Sequence, residues 1–227
     1  MEGFLLIDKP IGITSFGVIR ELRKITGIKK IGHCGTLDPM ASGLLICAVG
    51  RSATKKIYGF IKKDKTYLAE IELGKISDTY DSEGIKKEKK IKTIPDLKKI
   101  DNVLESFIGE QEQIPPIFSA KKIGGKKAYE IARSGKKPEI KPVRIKINNI
   151  KLINYSYPII KIEVDCGSGT YIRSLANDIG GKLKTGAYLK NLRRIKIGDY
   201  NIKKSNLLNK LNENNWKNKI LLSEKHF

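Results

Sequence analysis

His33-Cys34-Gly35-Thr36-Leu37-Asp38-Pro39-Met40-Ala41-Ser42-Gly43-Leu44-Leu45 sets one carboxylate between glycine-bearing turns and runs directly into an apolar segment that ends at Val49. The continuous run Leu44 to Val49 reads as a buried strand. Gly32, Gly35 and Gly43 let the backbone bend sharply or approach a bulky ligand, which a Cβ would resist. Pro39 disfavours helix at Asp38 and brings no N–H, so Asp38 is expected on a stiff loop. A stiff loop beside a buried strand is a good mount for a positioned nucleophile. A lone Asp-Pro is more often just a turn or a helix cap, so the rest of the chain has to decide between the two.

Working outward, Phe4 to Asp8 reads as a strand ending in the turn Lys9-Pro10-Ile11-Gly12. Thr14 or Ser15 can cap a helix through about Thr26, with Phe16, Ile19, Leu22 and Ile25 at helical spacing. Ser52 to Phe60 suggests a short helix, and Tyr67, Ala69, Ile71 and Leu73 alternate as in a strand. A helix fits Pro95 to Phe107 with Pro95 in its first turn. Strands fit Val143 to Ile153 and Ile159 to Val164, joined through Asn154 to Pro158, and Tyr171 to Leu183 returns to helix. Helices and strands mix without strict alternation, which predicts an α+β fold with a mixed, largely antiparallel sheet flanked by helices.

The chain has 227 residues, with 45 Lys and Arg against 24 Asp and Glu, a formal net charge of +21. Such a balance is the electrostatic footprint of a nucleic-acid binder. A lysine excess beside many Ile and Asn also arises from AT-rich coding, so the location of the charge matters more than its total. From Ile114 to Lys146, ten basic residues face only Glu130 and Glu139, alongside Gly124-Gly125, Gly135 and four prolines. A flexible basic insertion of this kind suits a phosphate backbone, whose neutralisation releases counterions. No apolar stretch approaches a membrane span, and the first residues lack a signal-peptide layout. Cys34, Cys47 and Cys166 are odd in number and widely spaced, which fits a reducing cytosol and argues against a disulfide frame or structural zinc. With only His33 and His226 as histidines, metal-free chemistry is expected.

Four further segments offer site residues. Lys65-Thr66-Tyr67 places a ring on a strand, where it can stack on a base. Gly167-Ser168-Gly169-Thr170-Tyr171-Ile172-Arg173 is a glycine turn before a helix, with Arg173 a fixed cation one turn in; it is neither a P-loop nor a nucleophile elbow. Leu189 to Arg194 adds an apolar wall and two cations. Asp78, Asp81 and Glu83 resemble a metal loop only faintly and read better as a polar hairpin tip.

Taken in order, Gly32 to Gly43, Lys65-Thr66-Tyr67, Gly169 to Arg173 and Leu192-Arg193-Arg194 resemble the TruB family of tRNA pseudouridine synthases, and Ser119 to Arg133 is similar to that family's RNA-gripping insertion. The resemblance runs from about Gly3 to Tyr200. It implies a pseudouridine synthase fold and a nucleophilic Asp38 that opens the glycosidic bond of a flipped-out uridine. Whether that carboxylate adds to the sugar or takes its C2′ proton stays open. Tyr67 would pack on the uracil near C5, Arg173 would pair with Asp38, and Tyr171 and Leu192 would line the base pocket. His33 would fill the stack space that the nucleotide leaves. Lys121, Lys122, Lys126, Lys127, Arg133 and Arg193 would grip RNA. The implied substrate is the T arm of tRNA at position 55, with no cofactor, no metal, no membrane and no obligatory protein partner, in the cytoplasm. Domain limits are expected at 1–200 for the catalytic domain, insertion 114–146 included, and 201–227 for a short tail without a full PUA-type domain, in which Leu207, Leu208, Leu211 and Trp216 suggest a helix. A guide-RNA-dependent relative and a non-catalytic tRNA-folding chaperone are the alternatives. The basic insertion argues against the first, and the joint presence of Asp38 and Arg173 against the second.

Overall fold

The computed structural model describes residues 1–119, 121–134 and 138–222, except the side chains of 122, 123, 126, 127, 129, 132 and 133. The chain divides into two compact units, Met1–Tyr67 with Leu192–Phe227, and Leu68–Asn191.

The first unit opens with β1 (Gly3–Lys9), α1 (Ser15–Thr26), β2 (Ile31–His33) and β3 (Ala41–Val49). All nine residues of β3 are buried, because the strand has apolar cover on both faces. On one face Leu5, Ile7, Leu45, Cys47 and Val49 pack with Val18, Ile19 and Leu22 of α1 and with Leu211 and Trp216. On the other, Phe4, Leu6, Leu44, Ile46 and Ala48 pack with Ala53, Phe60 and Ile197. Thr14 caps α1 by accepting the Gly17 N–H at 2.8 Å, and Gly27, at φ 69°, ends the helix in the left-handed conformation. The apolar spacing expected of α1 holds for Ile19 and Leu22, but Phe16 is 55% exposed and Val18 takes the core position. The expected helix after Val49 is two short ones, α2 (Arg51–Lys55) and α3 (Ile57–Ile61).

The chain enters the second unit along β4 (Lys65–Leu73) and continues through the hairpin β5 (Lys75–Ser77) and β6 (Lys86–Glu88), α4 (Leu97–Glu105) and β7 (Gly109–Gln113). Next come a small hairpin of β8 (Lys122–Ile123) and β9 (Lys126–Lys127), then α5 (Ala128–Arg133), β10 (Val143–Ser156), β11 (Ile159–Cys166), α6 (Ile172–Leu183) and β12 (Ala187–Ile197). The strands β4, β11, β10 and β7 lie side by side in that order, with antiparallel pairing of β10 to both neighbours. Asp96 caps α4, its carboxylate accepting the Lys99 N–H at 2.8 Å, so Pro95 lies before the helix and not in its first turn. Gly180 brings α6 against the start of β12: a Cβ there would stand 2.3 Å from the Ala187 nitrogen.

Back in the first unit, β12 runs parallel to β3, and β13 (Tyr200–Asn201) folds back on it. Among the described residues the tail does not form the expected α-helix. Instead β14 (Asn206–Leu207) pairs with β1, and 3₁₀ turns carry Leu211 and Trp216 into the core. The asparagines explain the difference. Asn212 and Asn215 bond each other's main chain, and Asn215 also bonds the Lys210 carbonyl, so side chains compete for the groups a helix would use. Among the described residues no helix is long and apolar enough to cross a membrane.

Candidate active site

Asp38 sits in a four-residue turn, Asp38-Pro39-Met40-Ala41, closed by the Ala41 N–H on the Asp38 carbonyl at 3.1 Å. Aspartate first and proline second is the residue order such turns favour. The Asp-Pro turn and the candidate site are therefore one feature. Both flanks of the turn are pinned by α1 and the segment before it. The Ser15 hydroxyl donates to the Leu37 carbonyl at 3.0 Å and accepts the Leu37 N–H at 2.8 Å. Beyond the aspartate, the Pro39 carbonyl accepts from the Gly12 N–H at 2.9 Å and from the Lys9 ammonium at 3.5 Å. Leu37 and Met40 point inward at 4% and 6% exposure, which leaves Asp38 half-buried between them.

Behind this loop lies Arg194, whose part sequence reasoning did not anticipate. Its guanidinium is 1% exposed and donates to the carbonyls of Leu44 at 2.8 Å, Gly35 at 3.1 Å and Thr36 at 3.5 Å. Gly43 is required where β12 passes β3, since its φ is 108° and a Cβ would meet the Arg194 main chain at 2.3 Å. Leu192, 9% exposed, pairs in register with Ala41 and so lies three positions from Asp38 across the ladder. Arg193 is tied to Asp8 at 2.6 Å and Ser42 at 3.2 Å. His33 ends β2 opposite Cys47. Burial, helped by the Arg194 charge, holds the His33 imidazole below its usual titration range, and its buried Nδ1 has no partner among the described residues. The same burial pushes the Cys34 thiol up to about 12, too high to supply a thiolate nucleophile at neutral pH. Tyr67, 8% exposed, lies on β4 with its ring on the face of Lys65 and Ala69. The Lys65 ammonium fastens that strand to the carbonyls ending α3, at 2.6 Å from Ile61 and 2.6 Å from Lys63.

The second unit holds Arg173 and Tyr171. Arg173 is 6% exposed and forms an ion pair with Asp81 at 3.2 Å. It also donates to the carbonyls of Thr79 at 3.3 Å and Phe118 at 2.9 Å. Asp81, 2% exposed, accepts in addition from the Thr79 hydroxyl at 2.5 Å and the Glu83 N–H at 3.0 Å. Tyr80 between them is held at φ 63°, a conformation costly for a residue with a Cβ, and its carbonyl accepts the Leu189 N–H. The polar tip between β5 and β6 is thus a seat for the arginine, which nothing local in Asp78 to Glu83 announces. Among the described residues no cluster of His, Cys, Asp and Glu is arranged to hold a metal. Gln113 clamps Tyr171 at both main-chain groups, at 2.9 Å and 3.1 Å, much as Ser15 clamps Leu37. In the basic insertion, the Gly124-Gly125 pair is the tip of the β8–β9 hairpin, both residues at positive φ as a tight hairpin turn requires. The Lys121 ammonium donates to the Lys141 carbonyl at 3.2 Å. The side chains of Lys122, Lys126, Lys127 and Arg133 lie outside the described residues, as does all of His226. Asp38, His33, Tyr67 and Leu192 belong to the first unit, Arg173, Tyr171 and the insertion to the second.

Comparison with known proteins defines the class. Residues 23–172 match the TruB family pseudouridylate synthase N-terminal domain, and residues 173–225 match the tRNA pseudouridylate synthase B C-terminal domain. The tRNA pseudouridine synthase B of Protochlamydia amoebophila (strain UWE25) is 48% identical over 201 residues, 88% of this chain and 76% of that protein. That of Endomicrobium trichonymphae is 45% identical over 204 residues, 89% of this chain and 88% of that protein. Among solved structures, a chain of a Cbf5-Nop10-Gar1 complex superposes with a TM-score of 0.72 at 29% identity, over 91% of this chain and 52% of that one. A chain of an H/ACA RNP bound to a substrate RNA containing 2′-deoxyuridine gives 0.71 at 26% identity, over 95% and 55%. This chain spans about half the length of those two. The fold is that of a pseudouridine synthase. The chain belongs to the TruB family of pseudouridylate synthases, and its chemistry is the isomerisation of uridine to pseudouridine.

Proposed function

We propose that the uridine isomerised by this chain is the one at position 55 in the T arm of tRNA, and that Asp38 is the nucleophile. The observation that supports this most is the Asp38 turn, pinned on one side by Ser15 and on the other by Gly12 and Lys9, with its carboxylate half-buried. Fixed geometry is where much of an enzyme's advantage over solution comes from. In this reading the target nucleotide is flipped out of the RNA, at a cost of a few kcal/mol of unstacking that packing against Tyr67, Tyr171 and Leu192 offsets. Asp38 opens the N1–C1′ bond, the uracil turns, C5 bonds to C1′, and the C5 proton leaves as N1 gains one. Arg173 acts as the cation that answers Asp38, itself oriented by Asp81. His33, kept neutral by burial, fills the vacated stack. The basic insertion, with Lys121, Lys122, Lys126, Lys127 and Arg133, and Arg193 beside Ser42 supply phosphate contacts. The reaction is internal to the nucleoside and needs no redox or group-carrying cofactor. Three buried free cysteines fit a reducing, cytoplasmic setting.

The decisive experiment incubates the purified chain with unmodified tRNA, without guide RNA or any other protein, and maps pseudouridine at nucleotide resolution. Modification at position 55, lost in Asp38→Asn while RNA affinity stays within a few fold, is the expected result. Modification only after a guide RNA is added would favour the guide-dependent reading. RNA remodelling without any isomerisation would leave a chaperone.

A further inference from the structure

Asp38 does not stand alone on its face of the loop. Every carbonyl from Gly35 to Pro39 is turned to a donor within the first unit. Those of Gly35 and Thr36 meet the Arg194 guanidinium at 3.1 Å and 3.5 Å, and that of Leu37 meets the Ser15 hydroxyl at 3.0 Å. The carbonyl of Asp38 accepts from the Ala41 N–H and that of Pro39 from the Gly12 N–H. A segment engaged in this way has one backbone path, which its side chains must follow. Leu37 turns both its N–H and its carbonyl to Ser15, while the Thr36 carbonyl goes the other way, to Arg194. In extended backbone the main-chain groups of successive residues alternate in this manner, and so do their side chains. Leu37 is 4% exposed and lies in the interior, whereas Thr36 is exposed and Asp38 half-buried. Thr36 and Asp38 therefore share a face, about 7 Å apart at strand rise. The Thr36 hydroxyl has no hydrogen-bond partner among the described residues.

With Asp38 as the nucleophile, its carboxylate works at C1′ or C2′ of the target nucleotide, so the ribose lies over this face. The 2′-oxygen is bonded to C2′ and is two bonds from C1′, within reach of a side chain two residues from the carboxylate. A phosphate partner calls for a charge, but Arg194, the cation behind Thr36, is 1% exposed and already donates to three carbonyls. A neutral hydroxyl that both donates and accepts matches another hydroxyl instead. We infer that the Thr36 hydroxyl hydrogen-bonds the ribose 2′-hydroxyl of the target nucleotide, the group by which a protein tells RNA from DNA. The inference rests on the role proposed for Asp38. Turnover of unmodified tRNA by Asp38→Asn would end that reading by itself, whatever Thr36 does.

The test is a cycle of four affinities, measured in the Asp38→Asn chain so that the RNA stays intact. Thr36 and Thr36→Val are each titrated with tRNA carrying uridine or 2′-deoxyuridine at the target position. Valine keeps the shape of threonine and removes the hydroxyl, and an unchanged melting temperature establishes that the variant folds. Thr36→Val should weaken binding of the uridine RNA about tenfold, the scale of one neutral hydrogen bond. The 2′-deoxy change should cost the same with Thr36 in place, and the two changes together should cost no more than either alone. Thr36→Ser, which puts a hydroxyl back, should recover most of the affinity for the uridine RNA and none for the deoxyuridine RNA. Losses that multiply, so that the double change costs about a hundredfold, would place the hydroxyl on another group such as a phosphate and overturn the inference. So would Thr36→Val binding both RNAs as tightly as the chain that keeps Thr36.

Discussion

In the proposed role the Asp38 carboxylate has to be aimed, and the aiming falls to its neighbours more than to Asp38 itself. Ser15 satisfies both main-chain groups of buried Leu37, so Ser15→Ala leaves a donor and an acceptor without partners, a loss of about 1–3 kcal/mol. Urea denaturation should show that loss, and single-turnover rates should fall while the apparent affinity for RNA barely moves. A rate equal to that of the unaltered chain would mean the turn holds its shape without the serine. Arg173 and Asp81 have the stronger coupling. Both side chains are buried, at 7% and 3% exposure, so Asp81→Ala should cost about 3–5 kcal/mol by stranding the guanidinium. Asp81→Asn, which keeps the shape but has one acceptor oxygen in place of two, should cost less and separate stability from catalysis. His33 makes stability depend on pH. Its folded-state titration lies below the ordinary value of 6.5, so on acidification the unfolded chain binds the proton first and stability drops below that pH. His33→Gln should flatten this slope in a series of urea midpoints taken downward from neutral pH. The Asp38 loop was legible because glycine, proline and aspartate act on their own backbone. The Asp81 partner of Arg173 lies 92 residues away, a separation that no local pattern can bridge.

Among the elements, the best-read ones are those whose sequence and surroundings agree. β3 is apolar on both sides because both sides are covered, and α1 begins at the threonine that caps it. The misread ones depend on a neighbour. The tail has helical spacing of leucines, but the outer edge of β1 needs a strand, and the asparagines favour turns. Helix α6 gives a sharp test of packing against propensity, because it contains two adjacent glycines in opposite surroundings. Gly180 presses on β12, where an added Cβ would stand 2.3 Å from the Ala187 nitrogen, whereas Gly181 has nothing within 4 Å. Gly180→Ala should destabilise by about 1–3 kcal/mol through overpacking. Gly181→Ala should stabilise by roughly 0.5–1 kcal/mol, the ordinary gain of replacing a helical glycine. Thermal or urea unfolding of the two single variants compares them directly, and two shifts of the same sign would show that helix contact, not propensity, is misassigned.

At the scale of the whole molecule, the order of motifs along the chain was readable but its partition into units was not. Hydrophobic periodicity is local, and it gives no sign that Leu192 onward returns to the unit that Met1–Tyr67 began. Charge, by contrast, was readable at this scale, because it acts over distance and adds up. The segment from Ile114 to Lys146 has a net charge of +8 out of +21 for the whole chain, more than a third within a stretch whose described residues include a hairpin, a short helix and the start of β10. Long-range attraction of this size draws in any polyanion, so affinity should fall steeply with salt. If the insertion supplies the contacts near the target uridine, replacing Lys121, Lys122, Lys126 and Lys127 together by Ala should reduce the salt slope by about 3, at roughly 0.7–0.9 per phosphate contact. Turnover at saturating RNA should be preserved, since these lysines and Asp38 belong to different units and the Asp38 turn owes its shape to Ser15, Gly12 and Arg194. The insertion should show the same change of slope on the isolated stem-loop as on whole tRNA. A slope unchanged on both RNAs would move the grip elsewhere, and a collapse of turnover at saturating RNA would mean that the hairpin shapes the catalytic site as well as holding the substrate.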